Sequence, residues 1–359
     1  MAVCVCNAGI VTVYDAFLLL SFGGPESPED VLPFLRNVTR GRGVPDQRLA
    51  EVAHHYESFG GVSPINAQNR ALLQALTKEF AAHEIELPAY LGNRNWHPFL
   101  ADTLRRMRDD GVRRALVLAT SATSSYSACR QYREDMASAR EAVGADAPEL
   151  VKLRHYFDHP GFVAANAEQV RVALRTLPAA LRDTARLVFT AHSIPIAMNE
   201  VAGPRRDGLY AAQHRESARL VTEAVRGGGA AFDLVWQSRS GPPRVPWLEP
   251  DVNDHLRVLA TAGDRAVVVS PTGFVSDHVE VLYDLDREAR GIADELGLVM
   301  VRAGTAGTHP AFVSMIRELI AERLADGVPR RSLGRLPVGP DTCAPDCCLP
   351  GTGRPSPWD

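Results

Sequence analysis

The chain has 359 residues, 45% of them hydrophobic and 23% charged, with a formal net charge of -4. That is ordinary globular composition, long enough for two cores of standard size, and the charge balance gives no global signature of nucleic-acid or anionic-membrane binding. No apolar run reaches the roughly 18 residues a membrane span needs, and the opening MAVCVCNAGIVTVYD has no basic start, long apolar stretch or small-residue cleavage site. The expectation is a soluble, cytoplasmic protein with a small-molecule partner, whose six cysteines are thiols or metal ligands rather than disulfides.

Taken in order, Phe17 to Phe22 (FLLLSF) reads as a buried strand closed by Gly23-Gly24-Pro25, with a helix starting near Ser27. The loop Thr39 to Pro45 places Arg40 and Arg42 on a flexible segment, followed by Tyr56 and the turn FGGVSPIN, which carries Ser63. A helix around 69–83, the strand 87–93, a helix around 98–110 and the strand 114–120 follow. The polar loop SATSSYSACRQY then presents Tyr126, Cys129, Arg130 and Tyr132, and the strand 149–156 ends the first set. The second half repeats the scheme: ARLVFTAHS, DLVWQSRS, AVVVSPTG and LVMVRAGT alternate with helical stretches at 161–175, 209–225, 250–260 and 279–296. Four strands and four more, alternating with helices, predict two doubly wound parallel sheets. The expected division is a first lobe over 14–157, a second over 158–305, a helix within 306–327 packing back on the first lobe, and an irregular cysteine-bearing tail from 328 to 359.

The chain is organised around 266–290, AVVVSPTGFVSDHVEVLYDLDREAR. An unbroken apolar strand stops at Pro-Thr-Gly, and the following helix carries His278, Glu280, Asp284 and Glu288. Acids four apart drift about 40° per step on a regular α-helix; a widened π-type turn aligns them better. Such a row beside a buried face suits a cation, although a solvated acidic stripe has the same pattern. In doubly wound sheets ligands bind beyond the carboxyl ends of strands. There stand His192-Ser193, Gln237 to Ser240, and Thr272 to His278, so His192 and Glu280 form a candidate metal or proton-transfer pair. Arg239, Arg244 and Trp247, on a proline-stiffened loop, are a candidate wall for a flat ligand, and Arg40, Arg42 and Arg94 are candidate carboxylate binders. Cys343, Cys347 and Cys348 are too close together in a coreless tail to be explained by packing; they favour zinc or an iron-sulfur cluster. Cys129 is the preferred fourth ligand, with Cys4 and Cys6 in competition. No phosphate-binding loop or nucleophile elbow is present.

The motifs FLLLSFGGPESPEDV, FGGVSPIN, TAHSIP, WQSRSGPPRVPWLEP and PTGFVSDHVEVLYDLDRE, in order from about Tyr14 to Ala325, resemble the ferrochelatases, most closely their actinobacterial branch. The resemblance implies two Rossmann-like lobes with four-stranded parallel sheets (the chelatase fold), a porphyrin in the cleft, and insertion of ferrous iron into coproporphyrin III to give coproheme. It implies His192 as proton acceptor or iron ligand and Glu280 as its partner. Asp284 and Glu288 become outer acids on a π-helical segment, and Arg40, Arg42, Tyr56, Ser63 and Tyr126 become substrate contacts. It also implies a two-iron two-sulfur cluster on Cys129, Cys343, Cys347 and Cys348, and a monomer without membrane insertion. Two departures stand out: Phe22 occupies the place of a tyrosine that could ligate iron in many relatives, and Thr39 the place of a further arginine in some.

Overall fold

The computed structural model describes residues 14–41, 43–240 and 244–351; Cys4, Cys6 and Arg42 lie outside these described residues. The first sheet is built from β1 (Ala16–Ser21), β2 (Ala89–Asn93), β3 (Arg114–Ala119) and β4 (Glu149–Lys152), and the second from β5 (Arg186–His192), β6 (Asp233–Gln237), β7 (Ala266–Ser270) and β8 (Val299–Arg302). Their spatial orders are β2-β1-β3-β4 and β6-β5-β7-β8, every pairing parallel. This is the α/β architecture of two doubly wound lobes.

The helices are α1 (Val31–Val38), α2 (Asp46–Glu57), α3 (Ile65–Ala82), α4 (Leu100–Asp109), α5 (Gln131–Val143), α6 (Pro160–Thr176), α7 (Ile196–Glu200), α8 (Leu209–Arg226), α9 (Val252–Thr261), α10 (Val279–Leu282), α11 (Arg290–Glu295) and α12 (Pro310–Leu324). Two π-helical turns, Tyr126–Arg130 and Tyr283–Ala289, interrupt the series.

The central strands explain the apolar runs. Every residue of β1 and β7 is buried, because helices cover both faces of a parallel sheet. Alternation then assigns the side chains: Phe17 and Leu19 point into the core shared with α3 and α12, while Leu18 and Leu20 point towards α4. Phe189 and Ala191 face the core shared with α6 and α8, and Val188 faces α9 and the second π turn. Helix α12 belongs to the first core. Its Phe312, Ile316 and Ile320 are buried with Leu76 and Phe80 of α3 and Phe162 of α6, each burial contributing about 1.5–3 kcal/mol. A Cβ on Gly161 would lie 2.4 Å from the Ala311 carbonyl oxygen, so only glycine lets α6 and α12 approach this closely.

The expected strand over 149–156 is corrected; helix α2 was not anticipated, and the expected helical stretch over 279–296 contains the π turn that the acid spacing favours. The segment expected to continue as strand to Tyr156 leaves the ladder after Lys152, although Leu153 to Tyr156 stay buried. The stretch before Tyr56 is helix α2, which buries Leu49 and Ala53 against Phe34 and Leu35 of α1. The helix expected over 279–296 is three pieces, α10, a π turn and α11.

Candidate functional site

His192 is the last residue of β5, in register with Gln237 of β6. Beyond β7, Pro271 to Gly273 folds back over β5, with Gly273 N–H donating to the Thr190 carbonyl at 3.1 Å. A Cβ on Gly273 would sit 2.5 Å from the Cβ of Ala191, so a side chain there would push this loop off the strand that carries His192. The loop then delivers His278 as the cap of α10 and Glu280 in its first turn.

His192 Nε2 lies 3.7 Å from Glu280 Oε1, and the two side chains keep 33% and 41% of their surface exposed. Nδ1 of His192 bonds the Ser193 carbonyl oxygen, which requires Nδ1–H and leaves Nε2 as the nitrogen that exchanges protons. Behind the strand, the Tyr210 hydroxyl donates to the His192 carbonyl at 2.8 Å. Burial disfavours the imidazolium, but the Glu280 carboxylate, the Ser193 carbonyl and Asp284 outweigh it, so His192 titrates above its ordinary 6.5. For Glu280 burial is likewise outweighed, by His192, His278 and His55, and its carboxyl stays below the ordinary range.

Asp284 differs. Burial, then the charges of Glu280 and Glu288, push it up to about 7, against the opposing hydrogen bond from Ser238. The Ser238 hydroxyl and Gln237 Nε2 both donate to Asp284 Oδ2, the latter at 3.2 Å. Ser238 holds φ +62, the left-handed region in which a non-glycine residue is strained. Glu288, on the exposed end of the π turn, is raised by burial and by Asp251. On a regular helix Glu288 would drift round from Glu280 by about 80° in two steps; the widened turn counters that drift. The acids thus descend from the half-buried Glu280 to solvent, with Asp284 poised between proton states near neutrality. Among the described residues, no three or more His, Cys, Asp or Glu side chains converge on one point as a ready metal site.

The first lobe supplies a mostly apolar wall. Phe22 is 37% exposed just past β1, with its ring 6.3 Å from Phe34, itself 5.9 Å from Tyr56. Tyr56 is held above its ordinary pKa by burial and by the charge of Glu280. His55 stacks on Tyr283 of the π turn, centroids 3.7 Å apart and planes within 6°. Sequence reasoning missed this pair, because neither residue carries a motif and the contact joins two lobes. Ser63 is buried, its N–H donating to Pro25 at 2.8 Å. Arg40 is exposed and donates to Asn37 at 2.7 Å, and the Thr39 hydroxyl is used locally on Leu35 at 2.7 Å. Tyr126 stands in the first π turn, donating to Glu134 at 2.9 Å. Arg94 is committed to Asp135 and Trp247 is buried.

A second cluster joins the tail to the first lobe. Cys129 is in the π turn after β3, and Cys347 and Cys348 are buried with it. The Sγ atoms of Cys347 and Cys348 are 3.6 Å apart, and Cys343 hydrogen-bonds both Cys129 and Cys347, so the four thiols form a chain of contacts. Gly203 N–H donates to Cys348 Sγ at 3.3 Å. Arg130, paired with Glu134 at 2.8 Å, reaches the carbonyls of Pro345 and Cys347. Cys129 is raised by its bond with Cys343 and by burial, against Lys152 and His155. In Cys347 the bond with Cys343 acts downward, but Cys348 and burial push it up to about 12. A coordinated cation inverts that preference.

Two parallel lobes with a histidine and carboxylate facing each other beyond the strand ends define a chelatase-type protein. SirB from Bacillus subtilis, solved with Fe3+, shares this fold at a TM-score of 0.50 and 12% identity, covering 86% of this chain and 97% of that one. The family Ferrochelatase matches residues 14–324, and the chain belongs to the ferrochelatase family. It is 57% identical over 343 residues to the coproporphyrin III ferrochelatase of Nocardia farcinica, covering 94% of this chain and 97% of that protein. It is 54% identical over 357 residues to the coproporphyrin III ferrochelatase of Streptomyces coelicolor, covering 96% and 95%.

Proposed function

We propose that this protein is a coproporphyrin III ferrochelatase, a lyase that inserts ferrous iron into coproporphyrin III to give coproheme in heme biosynthesis. The observation that carries the reading is the His192–Glu280 pair at 3.7 Å with the acids of the π turn behind it. The relatives named coproporphyrin III ferrochelatase, matched across nearly the whole chain, fix the choice of porphyrin.

As iron replaces the two inner protons of the macrocycle, two N–H bonds break and four Fe–N bonds form. Neutral His192 accepts a departing proton at Nε2, and Glu280 stabilises the imidazolium that results. Asp284, with its pKa near 7, relays protons or the incoming ion between Glu280 and Glu288. Phe22, Phe34 and Tyr56 pack on the macrocycle, and Phe22 offers no donor atom, so no side chain at that position ligates iron. Arg40 and Arg42 bind propionates, and Ser63 and Tyr126 complete the contacts. The protein works as a cytoplasmic monomer; among the described residues no helix is long and apolar enough to cross a membrane.

Cys129, Cys343, Cys347 and Cys348 suit a two-iron two-sulfur cluster as a donor set: four thiols joined in a chain of contacts and mostly buried. When bound, the cluster supplies a one-electron centre and a metal cross-link between tail and first lobe. The test of the catalytic reading is His192→Ala, assayed with coproporphyrin III and ferrous iron. Turnover is expected to fall by at least about a hundredfold with porphyrin binding retained; an active variant refutes the assignment.

A further inference from the structure

A cavity of about 370 Å3 opens at the outer edge of the first sheet, between β4, helix α5 and the tail, and none of its lining residues belongs to the His192–Glu280 site. Its charges are unbalanced. Arg114 is paired with Glu149 at 3.2 Å, Arg323 with Asp341 at 2.8 Å and Arg154 with Glu322 at 2.7 Å. Arg133, Arg140 and Lys152 line the same cavity and have no carboxylate partner among the described residues. Arg140 is exposed, but Arg133 and Lys152 are half-buried, where like charges repel more strongly than in open water.

The walls also hold unused hydrogen-bond donors. Nε of Arg323 and Nε2 of His155 are buried without a hydrogen-bond partner, although an unsatisfied buried polar group is unfavourable and uncommon. Gathered uncompensated cations and idle N–H groups around a ligand-sized space call for an acceptor-only guest. We propose that this cavity binds a small multivalent oxyanion, a polyphosphate or a polycarboxylate, through Arg133, Arg140 and Lys152.

The position gives binding a consequence. Pro340, Asp341, Thr342 and Cys343 form one wall, so an anion held here ties the tail beside Cys343 to the edge of the first lobe. Occupancy stabilises the cysteine cluster without touching the porphyrin cleft.

The test is isothermal titration of the intact purified protein with pyrophosphate and, in parallel, with citrate. Saturable one-to-one binding is expected, weakened by at least about tenfold in Arg133→Ala/Arg140→Ala and in Lys152→Gln, with iron insertion in anion-free buffer unchanged. The second, single substitution guards against a double variant that folds poorly. Tighter pyrophosphate assigns the site to phosphates, and tighter citrate to carboxylates. No saturation by either up to roughly 10 mM, a range weaker than specific small-anion sites, or affinity equal in wild type and all variants, overturns the proposal.

Discussion

Replacing Glu280 by Gln keeps the shape of the cleft and removes one negative charge 3.7 Å from His192 Nε2. At that separation the interaction is about 1 kcal/mol at the dielectric of water and about 4 kcal/mol at an effective value near 20. Both side chains remain a third or more exposed, so screening favours the lower figure, which corresponds to about one pH unit. Glu280 is the strongest of the influences raising His192 above 6.5, and burial opposes them. In Glu280→Gln the histidine should therefore titrate about one unit lower. A neutral imidazole accepts protons and an imidazolium does not, so the acidic limb of the rate profile should move to lower pH while the maximal rate drops. Ring-labelled histidine NMR of the porphyrin-free protein reads the first effect directly, and initial rates from pH 5 to 9 read the second. A His192 midpoint that stays put or rises would refute the pairing.

Asp284→Asn should stabilise the porphyrin-free protein, increasingly so as pH rises. The folded-state pKa of about 7 stands above the ordinary 3.8 of an aspartate, so between those values the unfolded chain binds fewer protons and stability falls with rising pH. The variant escapes that loss, by on the order of 1–2 kcal/mol at pH 8 after screening and by little at pH 4; melting curves at the two pH values check it, and an equal gain at both contradicts it. Arg130→Ala removes the ion pair to the buried Glu134, which keeps its hydrogen bond from Tyr126, and frees the carbonyls of Pro345 and Cys347. It should cost about 1–3 kcal/mol and expose the tail to limited proteolysis, whereas a protected tail would show that the contacts do not hold it. Cys347→Ser should abolish the visible absorption expected of the proposed two-iron two-sulfur cluster, and an unchanged spectrum would remove Cys347 from the ligand set.

Both sheets were legible because a strand buried on two faces must be apolar throughout, as in FLLLS and AVVVS. The strand read on to Tyr156 overshot: Leu153 N–H still reaches Val117 of β3 at 2.8 Å, but Tyr156 N–H goes to Ala122 at 3.3 Å, and the burial of this stretch no longer reports a sheet. Helix α2 was hidden because its apolar face is only Leu49, Val52, Ala53 and Tyr56 within a charged stretch. At the site, His192 and the acids stood at strand ends or in one helix, where local pattern speaks. The His55–Tyr283 stack and the Arg130 clamp join distant segments, and no local period encodes such contacts. Ser238 was visible as a residue past β6, but its left-handed backbone and its bond to Asp284 follow only from the meeting of β6 with the π turn.

The most direct test of the central claim is an anaerobic assay of the purified protein with ferrous iron. Coproporphyrin III and protoporphyrin IX are offered in parallel, and loss of free-porphyrin fluorescence is followed. The account predicts rapid insertion into coproporphyrin III and little into protoporphyrin IX. Equal or reversed rates would contradict the assigned substrate, and porphyrin binding without metal insertion would contradict the chelatase itself.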